Sequence, residues 1–219
     1  MKQIEIYPLF PSNIFLSEIE GDIFFDDLKK ENYCECDKDG LYVTKNVKIL
    51  DRYQDLKLSI LEHFTYIIKE ILKYNHTQFD ITTSWMNLST TNSIGEYHSH
   101  QNSFYSGVMY FEDYDDIDNC GSFEIDSMNM LPGSITLSEP TEYNIYNSTW
   151  WHFKPRKNLV IFFPSYLKHR IGKHKSNISR YSLAFNIMPY GTFGFGDSSI
   201  SMNLNNTDSL QSIRGKGFN

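Results

Sequence analysis

The sequence predicts a mostly β protein with helices near its N-terminus, built as a sandwich or a barrel. Three observations support this prediction. Short apolar or alternating segments, separated by Gly, Pro, Asn and Asp, follow one another from residue 79 onward. Apolar residues recur at helical spacing between Asp51 and Tyr74. Aromatic residues make up 16% of the 219 residues, which favours strands over helices.

The helical part of the prediction lies in the first third of the chain. A strand is predicted at 4–10 (IEIYPLF), followed by a short helix at Asp22–Lys30 and a long helix at Asp51–Tyr74. The long helix carries an apolar stripe, which predicts a surface packed on a sheet. That stripe consists of Leu56, Ile60, Leu61, Phe64, Ile67, Ile68, Ile71 and Leu72.

The β part of the prediction begins at residue 79, where FDITTSWMNLST alternates between apolar and polar residues. We predict strands at 79–90, 94–100, 104–112, 121–126, 133–138, 142–153, 158–163 and 179–188. The whole chain, 1–219, is then a single domain. Its parts are an N-terminal strand with supporting helices (1–78), a β core (79–188) and a polar tail (189–219) that adds an edge strand or a lid, or is loosely ordered.

Composition and charge exclude several classes of protein. The net charge of −7 argues against a nucleic-acid-binding protein, which needs a basic patch to neutralise phosphates. The N-terminus lacks the apolar core of a signal peptide, and no stretch approaches a membrane span. Three cysteines in a C-x-C pair and a singlet fit no disulfide framework. We therefore expect a soluble, intracellular protein of the cytoplasm, and the sequence leaves its oligomeric state open.

Two histidines in GEYHSHQNSF indicate a metal site. His98 and His100 are two residues apart, so in an extended chain they point the same way, and Glu96 shares their face. Neutral imidazole is the commonest metal ligand in proteins, but two imidazoles form only half a site. The best candidate for a third ligand is His169, which lies just beyond a predicted buried strand and the break at Pro164.

A second constellation indicates an anion site. Arg180 opens the last predicted strand, and Ser182 lies on the same face of that strand. A buried arginine in a β core requires an anion, and a carboxylate is the natural partner of its planar fork. The hydroxyl of Ser182 can add a hydrogen bond to that anion.

The chain resembles the Fe(II)- and 2-oxoglutarate-dependent oxygenases, and among them a prolyl-hydroxylase-like branch of bacterial and phage 2OG-Fe(II) oxygenases. The resemblance rests on YPLFPSNIF, SWMN, HSHQNSFYSGVMYF, FFPSYLKH and RYSLAFN, which occur in this order over nearly the whole chain. It implies a double-stranded β-helix, a jelly roll of the cupin-like type, at 79–188. It also implies that the metal lies at one open end of that fold.

The resemblance implies a role for each residue that matches. His98 matches the first iron ligand and His169 matches the distal one. Arg180, with Ser182 beside it in an R-x-S pattern, matches the base that holds the far carboxylate of 2-oxoglutarate. Further candidates for the cosubstrate pocket are Tyr110, at a position that often bonds the same carboxylate, Trp85, Asn87 and, on the face of Arg180, Asn186.

One position departs from the wider superfamily, whose metal site is usually two histidines and one carboxylate. The position two residues after His98 is His100 rather than Asp or Glu, although the branch that the chain resembles tends to read H-x-H-P there. Gln101 stands where that proline would be. The residues leave three readings open: His100 is the third ligand, Glu96 supplies a carboxylate, or His100 orients the substrate.

The sequence thus predicts an oxidoreductase, a dioxygenase of the hydroxylase type that uses Fe(II), O2 and the cosubstrate 2-oxoglutarate. Its substrate is a protein side chain or a small molecule that the sequence does not name. Two alternatives belong to other classes of protein. One is a jelly-roll binding module without catalysis, and the other is a cupin-like enzyme with a three-histidine metal site that does not use 2-oxoglutarate.

Overall fold

A seven-stranded antiparallel sheet forms the centre of the fold. The computed structural model describes residues 5, 11–21, 24–36, 40–127 and 140–204. The strands are β1 (Phe15–Glu18), β2 (Tyr33–Glu35), β3 (Leu41–Thr44), β4 (Phe79–Ser89), β5 (Tyr105–Met109), β6 (Phe123–Asp126), β7 (Trp150–Phe153), β8 (Leu159–Pro164), β9 (Lys168–Ile171), β10 (Arg180–Pro189), β11 (Gly191–Phe193) and β12 (Ile200–Met202). The helices are α1 (Phe25–Leu28) and α2 (Gln54–Tyr66). Short 3₁₀ segments lie at Ile49–Arg52 and Gly196–Ser198, and a π-helical turn at Ile67–Ile71 continues α2.

The described strands form three sheets. The major sheet has the order β1-β8-β5-β10-β4-β3-β2, and a minor sheet has the order β7-β6-β9. Strands β11 and β12 pair as a separate hairpin in the predicted tail. Strand β10 lies in the middle of the major sheet and pairs along its length with β4 on one side and with β5 on the other.

A helix layer packs on one face of the major sheet. Leu183 and Phe185 of β10 lie in the same core as Leu56, Ile60 and Phe64 of α2. The ring of Phe64 has no exposed surface, and its aromatic neighbours are Phe79, Phe104, Tyr105 and Phe162. The apolar stripe predicted for the long helix therefore serves to hold the helix layer against the sheet.

The opposite face of the major sheet meets the minor sheet and carries the functional residues. Val108, Ile161 and Phe163 of the major sheet share a second core with Phe123 and Ile125 of the minor sheet. Strand β10 sends polar side chains into this interior. Because side chains alternate along a strand, the buried residues Arg180, Ser182 and Asn186 all point to this side.

The predicted jelly-roll-type β architecture is confirmed, and most of the predicted strands are present. The segment 94–100 is not a strand, because its pairing is limited to an isolated bridge between His98 and His169. Of the predicted strand 142–153, only Trp150–Phe153 is one, since the residues before it form turns. The predicted long helix is α-helical only to Tyr66. Apart from Glu5, the predicted strand at 4–10 lies outside the described residues, as does the one at 133–138.

The N-terminal third contributes more to the sheet than its sequence indicates. Strands β1, β2 and β3, which were not predicted, take both edges of the major sheet. Within the described residues, no helix combines the length and the apolar character that a membrane crossing requires.

The packing of Phe64 leads to a prediction about stability. Phe64→Ala should lower the free energy of unfolding by about 3–5 kcal/mol, because it removes a buried ring and leaves a cavity. The matched control is Tyr66→Ala on the same helix, whose side chain is 61% exposed and whose loss should change stability by less than about 0.5 kcal/mol. Urea denaturation followed by circular dichroism measures both values. Equal losses in the two variants would show that α2 does not anchor the sheet.

Candidate active site

Three histidines from two segments of the chain meet at one end of the sandwich. One ring nitrogen from each of His98, His100 and His169 lies within 4.8 Å of the corresponding nitrogens of the other two. The ring centroids are 4.4–5.0 Å apart. Backbone hydrogen bonds hold the two segments together, because His98 and His169 exchange both of theirs and the N–H of His100 donates to the carbonyl of Ser165.

The hydrogen bonds of two of these rings fix their tautomers. Nδ1 of His98 lies 2.9 Å from the carbonyl oxygen of Glu96, and Nδ1 of His169 lies 2.9 Å from the carbonyl oxygen of Leu167. A carbonyl oxygen can only accept a hydrogen bond, so Nδ1 carries the proton in both neutral rings. The lone pair is then on Nε2, which is the nitrogen available to a metal.

His169 is the most deeply placed of the three rings. Its side chain is buried against the rings of Phe123 and Phe163. Burial lowers the pKa of His169 to about 3, and the neighbouring His98 and His100 act in the same direction. The ring is therefore neutral at physiological pH, as a metal ligand must be.

Three neutral imidazoles are a donor set that suits iron and other first-row transition metals. The carboxylate of Glu96 is not a member of this group of ligand atoms, although Glu96 lines the same cavity and supplies the carbonyl that holds His98. The structure thus places His100 with the other two histidines. Its assignment as an iron ligand stays a prediction.

A cavity of about 350 Å³ opens beside the three histidines. Both sheets contribute to its wall, and the indole of Trp85 lies beside the ring of His100, with 5.6 Å between the ring centroids. The indole nitrogen of Trp85 donates to the side-chain oxygen of Asn87, at 3.1 Å. Lining residues that bear on the site are Trp85, Asn87, Val108, Phe123, Phe163 and Ala184.

Arg180 is a buried cation without a counter-charge. Its side chain has no exposed surface, and one terminal nitrogen, Nη2, donates to the hydroxyl of Ser89 at 2.7 Å. Its Nε and its other terminal nitrogen have no hydrogen-bond partner among the described residues, and no carboxylate of those residues pairs with the guanidinium. Burial of an unpaired charge is strongly unfavourable, so this group requires an anionic ligand.

Two further polar groups near Arg180 also lack partners. The hydroxyls of Tyr110 and Ser182 are buried and have no hydrogen bond within the described part of the chain. The guanidinium carbon lies 5.5 Å from the centroid of the Tyr110 ring. Burial raises the pKa of Tyr110, so its hydroxyl keeps the proton and can donate it to a ligand. Together these side chains offer several unused donors to a single anion.

We call the side chains of Arg180, Ser182 and Tyr110 the anion pocket. Strand β10 connects it with the three histidines. Arg180, Ser182 and Asn186 lie on one face of it, and Ala184 between them lines the cavity beside the histidines. Asn186 is hydrogen-bonded to His100. The strand pairing sets Asn87 opposite Ser182 and therefore on the same face as the anion pocket.

Residues 83–186 match the model of a protein family described as "Putative 2OG-Fe(II) oxygenase". The matched segment contains all three histidines, Tyr110, Arg180 and Ser182. Over this segment, just under half of the chain, the protein is similar to the 2OG-Fe(II) oxygenases, a class of enzymes that use Fe(II) and the cosubstrate 2-oxoglutarate.

Solved structures of this superfamily share the fold. HygX from Streptomyces hygroscopicus, with nickel, 2-oxoglutarate and hygromycin B bound, is 11% identical with a TM-score of 0.56, covering 81% of this chain and 83% of its own. The epimerase SnoN from nogalamycin biosynthesis, in complex with Fe3+, alpha ketoglutarate and nogalamycin RO, is 10% identical with a TM-score of 0.59. The match covers 95% of this chain and 91% of SnoN. An oxidoreductase of the 2OG-Fe(II) oxygenase family from Burkholderia pseudomallei is 14% identical with a TM-score of 0.51 and coverages of 76% and 77%. No curated protein matches the sequence.

The sequence reasoning missed the polar residues behind His100. Thr83 and Ser106 form hydrogen bonds with the amide of Asn186, and Ser165 forms one with Ser106. Ser106 could have been found, because it lies four residues before Tyr110 and so shares its face of strand β5 by the period-2 rule. Ser165 follows the end of β8, so its position depends on the pairing of β5 with β8 and not on a local pattern.

The geometry of the three histidines predicts the effect of removing one of them. His169→Ala should weaken Fe(II) binding by more than about 100-fold, and Co(II) can serve as an air-stable probe. Residues that hydrogen-bond a metal ligand typically contribute about 10–100-fold to metal affinity, and loss of the ligand itself should cost more. Anaerobic isothermal titration calorimetry measures the affinity, and circular dichroism checks the fold.

His76→Ala is the matched control, because His76 is half-buried, bonds the carbonyl of Gln78 and does not belong to the group of three histidines. It should leave the metal affinity unchanged. Wild-type affinity in His169→Ala would remove His169 from the ligand set.

Proposed function

We propose that this enzyme is a dioxygenase of the hydroxylase type in which His98, His100 and His169 hold the iron and Arg180 holds the far carboxylate of 2-oxoglutarate. This assignment rests on the guanidinium of Arg180, which is buried and unpaired among the described residues. It lies on the same face of β10 as Asn186, which contacts His100. An anion pocket and a set of three imidazoles, joined by one strand, fit a ligand that binds a metal at one end and a cation at the other.

The donor sets support both halves of this assignment. Nε2 is the free nitrogen of His98 and His169, so both rings can bind a cation without losing a proton. At the other end, Arg180, Ser182 and Tyr110 present N–H and O–H donors to a carboxylate, and such charge-assisted hydrogen bonds are about twice as strong as neutral ones. The neutral Tyr110 can donate because burial keeps its hydroxyl protonated.

The residues of the protein have the tasks of binding, orientation and exclusion of water. When bound, iron and 2-oxoglutarate supply the oxidising chemistry, in which the cosubstrate is converted to succinate and carbon dioxide and one oxygen atom enters the substrate. Arg180 fixes the cosubstrate by its far end, so that the keto acid end is directed to the histidines. The walls formed by Trp85, Phe123 and Phe163 keep the site apolar around these polar groups.

Imidazole binds a metal in its neutral form, so three histidine ligands would add no negative charge to the site, whereas a carboxylate ligand would neutralise part of the charge of the metal. The substrate is a protein side chain or a small molecule. Support for a small molecule comes from HygX and SnoN, two relatives in fold that were crystallised with hygromycin B and nogalamycin RO.

A cupin-like enzyme that uses three histidines and no 2-oxoglutarate is the second candidate. The three-imidazole set favours it, but such an enzyme has no need of the buried Arg180. A binding module without catalysis would likewise not require the buried Arg180. Dependence on 2-oxoglutarate therefore separates the proposal from both alternatives.

The experiment that tests the proposal is an anaerobic titration of the metal-free protein with Fe(II) and then with 2-oxoglutarate, followed by visible absorption. We expect a weak charge-transfer band that requires both additions, because the keto acid must chelate the metal. Iron binding without the band would favour the cupin-like enzyme. Failure to bind iron would favour the binding module.

The role of Arg180 predicts a selective loss of cosubstrate binding. Arg180→Lys keeps a positive charge but loses the planar fork, and the affinity for 2-oxoglutarate should fall by about 30-fold or more, equivalent to at least 2 kcal/mol. Fe(II) affinity, measured in a separate titration, should change by less than about threefold. Arg156→Lys at an exposed ion pair with Glu18 is the matched control. Unchanged binding of 2-oxoglutarate in Arg180→Lys would contradict the assignment.

The role of His100 predicts that a carboxylate can replace it. His100→Asp would restore the usual set of two histidines and one carboxylate. We expect this variant to bind Fe(II) within about tenfold of the wild type, whereas His100→Ala, which offers no ligand atom, should lose more than about 100-fold. Calorimetry compares the three proteins. Equal affinities of His100→Ala and wild type would mean that His100 is not a ligand.

A further inference from the structure

Side chains from four neighbouring segments of the major sheet form a buried polar network behind His100. Asn186 of β10 lies at its centre, between Thr83 of β4 and Ser106 of β5, which are its direct neighbours across the strands. Ser165, just after β8, extends the network by a 2.8 Å hydrogen bond to the hydroxyl of Ser106. Four polar side chains in a sheet interior are unfavourable unless their groups are paired, and here they pair with one another.

The network directs two oxygens at Nδ1 of His100, of which the side-chain oxygen of Asn186 is the nearer and the hydroxyl of Ser106, at 3.2 Å, is the more distant. The side-chain oxygen of Asn186 lies 2.5 Å from Nδ1 of His100 and 2.7 Å from the hydroxyl of Ser106, and the amide nitrogen of Asn186 donates to Thr83 at 2.8 Å. With this orientation of the amide, Nδ1 of His100 is the donor and its Nε2 keeps the lone pair. His100 then has the same tautomer as His98 and His169.

The three imidazoles differ in how this tautomer is imposed. His98 and His169 each donate to a backbone carbonyl two residues earlier in the chain, which no substitution can remove. For His100 the acceptor belongs to a side chain 86 residues away. The pairing of β10 with β4 is irregular between Asn186 and Ile187, and such bulges re-aim side chains next to functional sites.

We propose that Asn186 is a positioning residue, which fixes the ring orientation and tautomer of His100 for metal binding, and not a contact of 2-oxoglutarate. This inference rests on the proposed function, because it treats His100 as a ligand. It differs from the sequence-based expectation, in which Asn186 belongs to the cosubstrate pocket. The two roles predict losses in different binding steps.

The first test observes the tautomer directly in the metal-free protein. Long-range ¹H–¹⁵N correlation spectra of histidine-labelled protein, recorded where the rings are neutral, should show the Nδ1–H form for His100. Asn186→Leu has a similar volume but removes the acceptor at 2.5 Å, so that only the more distant hydroxyl of Ser106 remains near Nδ1, and the Nε2–H form should appear for His100 alone. His98 and His169 are internal controls, because their backbone acceptors remain. Asn186→Asp keeps the acceptor and should retain the Nδ1–H form.

The second test separates metal binding from cosubstrate binding. Asn186→Leu should weaken Co(II) binding by about 10–100-fold, as expected for loss of a supporting hydrogen bond, while Asn186→Asp should stay within about threefold of the wild type. With Co(II) held at saturation, the 2-oxoglutarate affinity of both variants should remain within about threefold. If Asn186→Leu does not fold, Asn186→Ser replaces it, since its short side chain keeps a hydroxyl but does not reach His100.

The outcomes distinguish this proposal from the proposed function. A loss confined to 2-oxoglutarate binding would make Asn186 a cosubstrate contact and overturn the proposal. An unchanged tautomer together with unchanged Co(II) affinity in Asn186→Leu would also overturn it. If the wild-type protein bound no metal, the proposed function would fail and the positioning role with it, whereas the spectra would still show whether Asn186 holds the tautomer of His100.

Discussion

The alternation of side chains along β10 is the constraint on which the rest of the structure depends. One face of this strand carries Leu183 and Phe185 into the core beneath α2, and the other carries Arg180, Ser182 and Asn186 into the sandwich. Because the period is two, a slip of one residue in register would exchange the faces and bury the guanidinium among helix side chains. The long pairing with β4 and β5 on its two sides fixes this register.

The interior of the sandwich combines two kinds of polar group. The groups behind His100 are paired with one another, so they add order to the site. The groups around Arg180 are unpaired in the ligand-free protein, and each such buried group costs about 1–3 kcal/mol. These unpaired donors lower the folding stability of the ligand-free protein. An anion that binds there forms the missing hydrogen bonds, so the same donors raise the affinity for that anion.

The sequence predicts those parts of the fold and site that follow from local patterns. Alternating or continuous apolar runs bounded by turn residues predict β4, β5, β8 and β10, and the period-2 rule places Arg180 and Ser182 on one face. The two histidines of the HSH segment do point to one site, yet the segment is not a strand, because its order comes from the backbone of His169 and Ser165. Local patterns do not indicate that β2 and β3 complete the edge of the major sheet or that Ser165 lies against Ser106, since both depend on pairing between distant segments.

Two of the three imidazoles are held by backbone carbonyls and the third by a side chain, and this difference has a consequence for folding. His98 and His169 obtain their proton position from a backbone carbonyl two residues earlier in the chain, so it depends only on the local conformation of that short segment. His100 obtains it only after β4, β5 and β10 have assembled side by side, because its partner and the neighbours of that partner come from all three strands. A chain with an incomplete sheet therefore presents two prepared ligands and not three. If the three histidines hold the metal, as proposed, tight metal binding is a property of the fully folded chain, and incomplete chains do not acquire a reactive metal before the surrounding walls exist.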